Sequence, residues 1–406
     1  MLGWAGGAPA ATAQGAARAA GPRSDSTPPR YLLPDLAPDA LVYDGRHVWI
    51  RPIVGVLADY SWFSQDDASV AQVGAQADQA DLRAARFGVA ARLKVRPRVE
   101  LFAVFDYVEP KRREDVRYEL LDLTVGVPLG DRTKLSIGRQ KQPFVYEMVA
   151  LAALLPQQER ILSPFFLSRD VGVRLSGRAA RDRITWWAGW FNDWLVAGTS
   201  AAAAGNDYVV RVTGLPLASV DGRAYVHVGL GWRYTEAEQG VLRFRGRPES
   251  NVADYYVDTG DIPASHAVEV GFDLLGAWRQ WSLLTEWVRA SVVGAEGRDL
   301  QFYGSYVTAS WILTGEHRVY ERALGGGRNP VPAGRLGAWE LVARFARVDA
   351  TDPTVDGGAL DKWYLGVNWW ATLHWKAGVG LGVADLARGG TDGQTTIALV
   401  RLQWLY

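Results

Sequence analysis

Arginines stand at alternate positions in stretches that otherwise alternate apolar and small residues: Arg174 in VGVRLSG, Arg211 in YVVRVTG and Arg344 in LVARFARVD. A guanidinium on one face of a strand can donate a planar pair of hydrogen bonds to an oxyanion, or it can pair with a carboxylate on the neighbouring strand. Both partners are available here. The same parity argument gives Arg51, Arg86, Arg92, Lys94, Arg233, Lys376 and Arg401 as further cations on that face. It gives Asp59, Glu100, Asp106, Asp122, Glu269, Asp273, Glu286 and Glu340 as anions. Other chemistries find little support. There is no cysteine, so disulfides and thiolate chemistry are excluded. The histidines at 47, 227, 266, 317 and 374 lack metal-ligand spacing, and neither a nucleophile elbow nor a phosphate loop is present. No catalytic residue, metal or cofactor is expected.

Strict alternation says which elements would carry these charges. In KWYLGVNWW, Trp363, Leu365, Val367 and Trp369 fall opposite Tyr364, Gly366 and Asn368. Such a period of two argues half-buried strands. Sixteen segments follow it: 48–60, 83–96, 98–108, 116–127, 133–141, 168–178, 183–191, 206–214, 223–234, 265–275, 279–290, 300–314, 335–349, 360–370, 373–384 and 393–406. Most have the roughly ten residues that a tilted strand needs to cross a bilayer. The 44 basic and 44 acidic residues cancel, which argues against nucleic acid as a partner. Eighteen tryptophans and 44 glycines accompany a mean hydropathy of only −0.07. A membrane barrel reconciles these numbers, because alternation dilutes the hydropathy signal.

The connections alternate in length. Those at 61–82, 142–167, 192–205 and 235–264 are long, and most of the intervening turns are short. The exception is 315–334, where a short turn is expected. A soluble sandwich or propeller would also alternate, but no propeller repeat occurs. Tryptophans 232, 311, 339, 363, 369, 375 and 404 lie on the apolar parity, mostly near strand ends, as in an interfacial girdle. Residues 1–20 contain an Ala-Thr-Ala site at Ala11–Ala13 and read as a truncated signal peptide or an Ala/Gly leader. Residues 21–47 read as a periplasmic segment, and 48–406 as one barrel.

Two stretches carry a resemblance to a known family. They are IGRQKQPF…ERILSPFFLSRDVGVRLSG, from Ile137 to Gly177, and YGSYVTASWILTGEHRVYE…GAWELVARFARVDA…LGVNWW, from Tyr303 to Trp370. Together they resemble the porin O/P family of phosphate-selective porins. The resemblance implies an all-β, 16-stranded antiparallel transmembrane barrel in the bacterial outer membrane, commonly a homotrimer, seated in lipid and lipopolysaccharide. It implies a water-filled channel for small inorganic anions, with phosphate or polyphosphate as candidate cargo. The scarcity of lysine, with only six residues, sets this chain apart from the family's pattern and keeps a general diffusion pore as the alternative. An enzymatic barrel is a more distant one. In the family some loops fold into the lumen and line a constriction. Here the third long loop, with an expected short helix at Met148–Leu155, and the connection after the twelfth strand are the candidates. Their basic residues are Lys141, Arg160, Arg169, Arg318 and Arg322, supplemented by Arg174, Arg211 and Arg344 on the wall. Gly304, Tyr306, Thr308 and Ser310 would face a wet lumen.

Overall fold

The computed structural model of the chain describes residues 42–107, 118–166, 168–192, 205–295 and 297–406. The leader at 1–20 and most of the segment at 21–47 lie outside the described residues, as does the centre of the connection at 192–205.

Sixteen strands form one antiparallel sheet that closes on itself. They are β1 Val48–Gln65, β2 Gln79–Leu93, β3 Val99–Tyr107, β4 Tyr118–Pro128, β5 Thr133–Gln140, β6 Asp170–Ala179, β7 Ile184–Phe191 and β8 Asp207–Ala218. The second half is β9 Ala224–Glu236, β10 Ile262–Trp278, β11 Trp281–Gly294, β12 Asp299–Ile312, β13 Ala338–Asp352, β14 Val355–Trp370, β15 Trp375–Arg388 and β16 Thr391–Leu405. Each strand pairs with its sequence neighbour. β1 pairs with β16 in a register that sets Asp59 opposite Arg401 and Gly55 opposite Leu405. Closure leaves no open edge in this wall, the condition for sheet inside a bilayer.

Every segment expected from alternation is found in order, with ends shifted by a few residues. Lys94 is one casualty of the shift. β2 stops at Leu93, and the Lys94 ammonium sits outside the wall, donating to Asp44 and, at 2.9 Å, to the Gly45 carbonyl.

Parity separates the two faces. Leu365 is 67% exposed and Leu381 53% exposed on the outside, whereas Arg211, Glu286 and Arg401 are each 1% exposed on the inside. An apolar band this extensive on an outer wall needs a bilayer to cover it. No helix among the described residues is long and apolar enough to cross a membrane, so the strands do the crossing. Trp278, Trp281, Trp311, Trp339, Trp369, Trp375 and Trp404 cap the same end of seven consecutive strands, β10 to β16, and Trp281 stacks on Trp311 at 4.8 Å.

The interior differs from the expected wet lumen. The third loop, 141–169, turns inward and brings an apolar cluster with it. Phe144, Met148, Leu162 and Phe165 are fully buried against Phe191, Val209, Val288 and Phe302 of the wall. Its helical content is one α-turn, Tyr146–Val149, and two 3₁₀ turns, Ala152–Leu154 and Ser163–Phe165, in place of a continuous helix over 148–155. Leu151 between the first two is extended, which breaks the run. Wall glycines make room: a Cβ at Gly304 would collide with Phe165, and one at Gly231 with the Phe144 carbonyl. Gly304 and Tyr306 therefore face packed protein rather than water.

A barrel closed in this way should keep its shape in detergent, and boiled and unboiled samples should migrate differently on denaturing gels. Leu365→Arg, on the outer face, should cost about 2–4 kcal/mol of folding stability in bilayers. Identical migration of the two samples would contradict the closed wall.

Candidate functional site

An irregular loop inside a barrel carries backbone groups that no strand will pair, and each must be met by something else. The wall meets them with its charged parity. Arg174 donates to the Lys141 carbonyl at 3.2 Å, Arg211 to Phe144 at 3.1 Å and Lys376 to Leu155 at 3.0 Å. Gln403 donates to Ala153 at 2.8 Å, Asn368 to Pro156 at 2.7 Å, and Arg401 to Gln158. Carboxylates take the loop's N–H groups. Glu286 accepts from Tyr146 at 2.5 Å and from Glu147 at 3.0 Å. Glu147 accepts from Ile161 and Leu162 at 3.1 and 2.9 Å while pairing with Arg344 at 2.7 Å. Glu147 thus ties both limbs of the loop to β13.

A second segment enters from the opposite end. The long connection after β12 forms a hairpin, Arg318–Glu321 against Gly326–Pro330. Arg318 pairs with Glu340 and donates to Ser282 at 3.1 Å and to the Arg328 carbonyl at 3.0 Å. Thr185 donates to the Arg322 carbonyl at 2.7 Å. The two infolded segments meet at Tyr146, whose hydroxyl accepts from Gly327 N–H at 3.0 Å and donates to its carbonyl at 3.2 Å.

The eight expected basic residues do not form one ring. Arg174, Arg211 and Arg344 are sunk into the wall. Arg211 pairs with Asp273 at 2.8 Å, and Arg344 bridges Glu147 and Glu249 while lying 3.8 Å over the Tyr306 ring. Lys141 donates to the carbonyls of Met148 and Ala150 at 2.9 and 3.3 Å. Arg160 donates to those of Glu147 and Ala150 at 2.5 and 2.9 Å. Arg169 pairs with Asp122 at 3.0 Å. Arg318 is buried in the inner hairpin, and the exposed Arg322 sits at its turn. The charges left partly open to water gather on the β1–β5 side: Arg83 with Glu159 at 2.5 Å, Arg86 with Asp106 at 2.9 Å, and Lys134 with Glu100 at 2.5 Å.

Two spaces flank the third loop. On the side of the long connections lies a vestibule of about 590 Å³, lined by Arg83, Arg160, Arg243, Arg245, Arg247, Glu159 and Glu249 among others. Five arginines face two glutamates, and both glutamates are spent elsewhere, Glu159 also on Arg401 and Glu249 on Arg344 and Lys362. Arg243 is held by Asp258 at 2.6 Å, and that hydrogen bond keeps the Asp258 carboxyl below the usual carboxylate range. Arg245 and Arg247 both stack on Tyr255, at 4.5 and 4.2 Å from the ring centroid. Among the described residues neither of them, nor Arg160, has a carboxylate within ion-pair distance. On the far side, between the loop and the inner hairpin, lies a cavity of about 100 Å³.

Arg243, Arg245 and Arg247 escaped the parity argument because they lie on a loop, and Arg83 because it stands on the opposite parity of β2 from Arg86. The signal of the first three is nonetheless visible in LRFRGR, an alternation of arginine outside any wall strand. Lys134, Arg139 and Lys362 lie within wall strands and were also missed. Among the described residues no cluster of metal-ligating side chains occurs.

The family model for "Phosphate-selective porin O and P" matches residues 55–404. An uncharacterised protein of Caulobacter vibrioides is 25% identical over 201 residues, which are 45% of this chain and 40% of that protein. The matched part thus spans about two-fifths of that relative. Among solved structures, an anion-selective porin from Comamonas acidovorans superposes with a TM-score of 0.57 at 11% identity, covering 88% of this chain and all of that one. The outer membrane channel DcaP of Acinetobacter baumannii gives 0.57 at 7% identity, with 90% and 99% covered. A trimer form of OmpT, an outer membrane protein of Vibrio cholerae, gives 0.54 at 13% identity, with 89% and 100% covered. At these identities the likeness is one of fold.

If the ion pairs hold the third loop in place, Glu147→Ala should loosen it. Removing one member of a buried pair costs about 3–5 kcal/mol. Single-channel conductance of the variant should rise and become noisier. Unchanged conductance would mean that apolar packing alone seats the loop.

Proposed function

The chain belongs to the phosphate-selective porin O and P family of outer-membrane barrels, and on that premise we propose that its channel passes small anions in preference to cations. The observation that carries this reading is the vestibule, where three arginines lack a carboxylate at ion-pair distance among the described residues. A cluster of fixed positive charge between low-dielectric walls raises the local concentration of anions and repels cations. The arginines stack and donate to carbonyls without being fully engaged, so each holds an ion weakly and can release it.

In this reading Arg160 forms the floor of the vestibule, and Lys141 and Arg169 line the passage beside the β1–β5 wall. Arg318 and Arg322 stand at the periplasmic exit. Arg174, Arg211 and Arg344 act on permeation through the loop they hold. The assembly proposed is a homotrimer surrounded by lipid and lipopolysaccharide. No tryptophan occurs between Phe63 and Trp186, so β2–β6 lack the tryptophan anchors carried by β10–β16. That arc, bearing Phe87, Leu101, Phe105 and Leu123 outward, is the face offered to neighbouring subunits.

Reversal potentials in a potassium chloride gradient test the channel. The wild type should prefer chloride, and Arg245→Glu combined with Arg247→Glu should lower that preference by about threefold or more. A wild type without preference would be a general diffusion pore. Native mass measurement should return three chains, and monomers alone would remove the trimer.

A further inference from the structure

The cavity between the third loop and the inner hairpin has two unlike faces. Val149, Leu151 and Leu154 of the loop, Phe102 and Val104 of β3, and Leu324 of the hairpin form an apolar side. Arg86, Lys141, Arg169 and Arg328 form a cationic edge, with Asp122 and Glu321 the acidic residues among the lining. Arg86 is met by Asp106 from outside the lining, and among the described residues Lys141 is the lining cation with no carboxylate at ion-pair distance.

These cations are not arranged as a phosphate cradle. Arg169 is committed to Asp122 at 3.0 Å, Arg86 to Asp106 at 2.9 Å and Arg328 to Glu321 at 2.7 Å. Two of the three N–H groups of Lys141 go to loop carbonyls at 2.9 and 3.3 Å. A phosphate sheds a dense hydration shell on entering, and it needs several donors in return. This space answers it mainly with aliphatic and aromatic carbon. A carboxylate attached to an apolar body needs only one or two donors for its head, and the rest of it gains by leaving water.

We propose that this cavity is a selectivity site for small carboxylates with an apolar body of about benzoate size, favoured there over phosphate. The inference rests on the anion-channel reading and deepens it. The vestibule gathers anions by charge alone, and the cavity then sorts them by the apolar surface they can bury. Each methylene-sized group buried corresponds to about a fourfold gain in occupancy.

Bi-ionic potentials on the intact chain in planar bilayers test this, with potassium chloride opposed to potassium benzoate, acetate or phosphate. Benzoate should permeate better than acetate despite its larger size, and phosphate least. Val149 and Leu324 are only partly buried, so Val149→Ser and Leu324→Ser test the apolar side with little risk to folding. Each should reduce the benzoate-to-acetate permeability ratio by about fourfold. An order that follows size alone, a phosphate permeability equal to that of benzoate, or an unchanged ratio in both variants overturns the inference. Those results leave the anion channel standing. Absence of chloride preference over potassium in the wild type overturns the anion channel, and this inference with it. Should a variant fail to fold, the wild-type series decides alone.

Discussion

A strand wall can satisfy its own backbone, but a loop folded inside that wall cannot, and most of the chemistry of this interior follows from that constraint. The carbonyls of the third loop find donors on at least four wall strands, and its N–H groups find Glu286 and Glu147. Wall cations that might have faced permeating ions are therefore spent on structure. The cations left partly open to water stand where the loop leaves space, in the vestibule and beside the β1–β5 wall. Zero net charge over the chain coexists with a vestibule in which Arg160, Arg245 and Arg247 have no carboxylate at ion-pair distance among the described residues, so acidic groups elsewhere in the chain balance them.

The wall was legible in the sequence because a closed barrel imposes a period of two on every strand, and bilayer and lumen reward opposite residue types. Trp363, Leu365 and Val367 against Asn368 carry that signal openly. The order of all sixteen strands came through for the same reason, whereas the two infolded connections were legible from their length and from the family resemblance. What parity could not give was the opposite ends of the ion pairs. Glu147, Glu159 and Glu249 lie in irregular segments, and nothing local announces that Arg344 will meet two of them. Nor could parity tell a wet lumen from a packed one. The small residues beside Tyr306 read equally well as solvent-facing or as seats for another segment, and only Phe165 against Gly304 separates the two.

Two infolded segments from opposite ends also make the interior asymmetric. Apolar packing fills the side of β7–β12, where Phe191, Val209 and Phe302 contact the loop cluster. The β1–β5 side keeps charge at partial exposure. The infolded segments therefore leave the interior unevenly filled, packed toward β7–β12 and partly open to water beside β1–β5.

One contact has a consequence for the lifetime of the folded chain. Arg401 of β16 pairs with Asp59 of β1, and both Arg401 and Arg83 of β2 pair with Glu159 of the third loop. The loop is thus clipped over the seam where the first and last strands join. Opening the cylinder at that seam must part Arg401 from both Asp59 and Glu159 before those groups are fully hydrated. The barrier to unzipping is set from within the cylinder as well as by the surrounding lipid, so the interior plug that narrows the pore also slows the escape of the chain from its membrane.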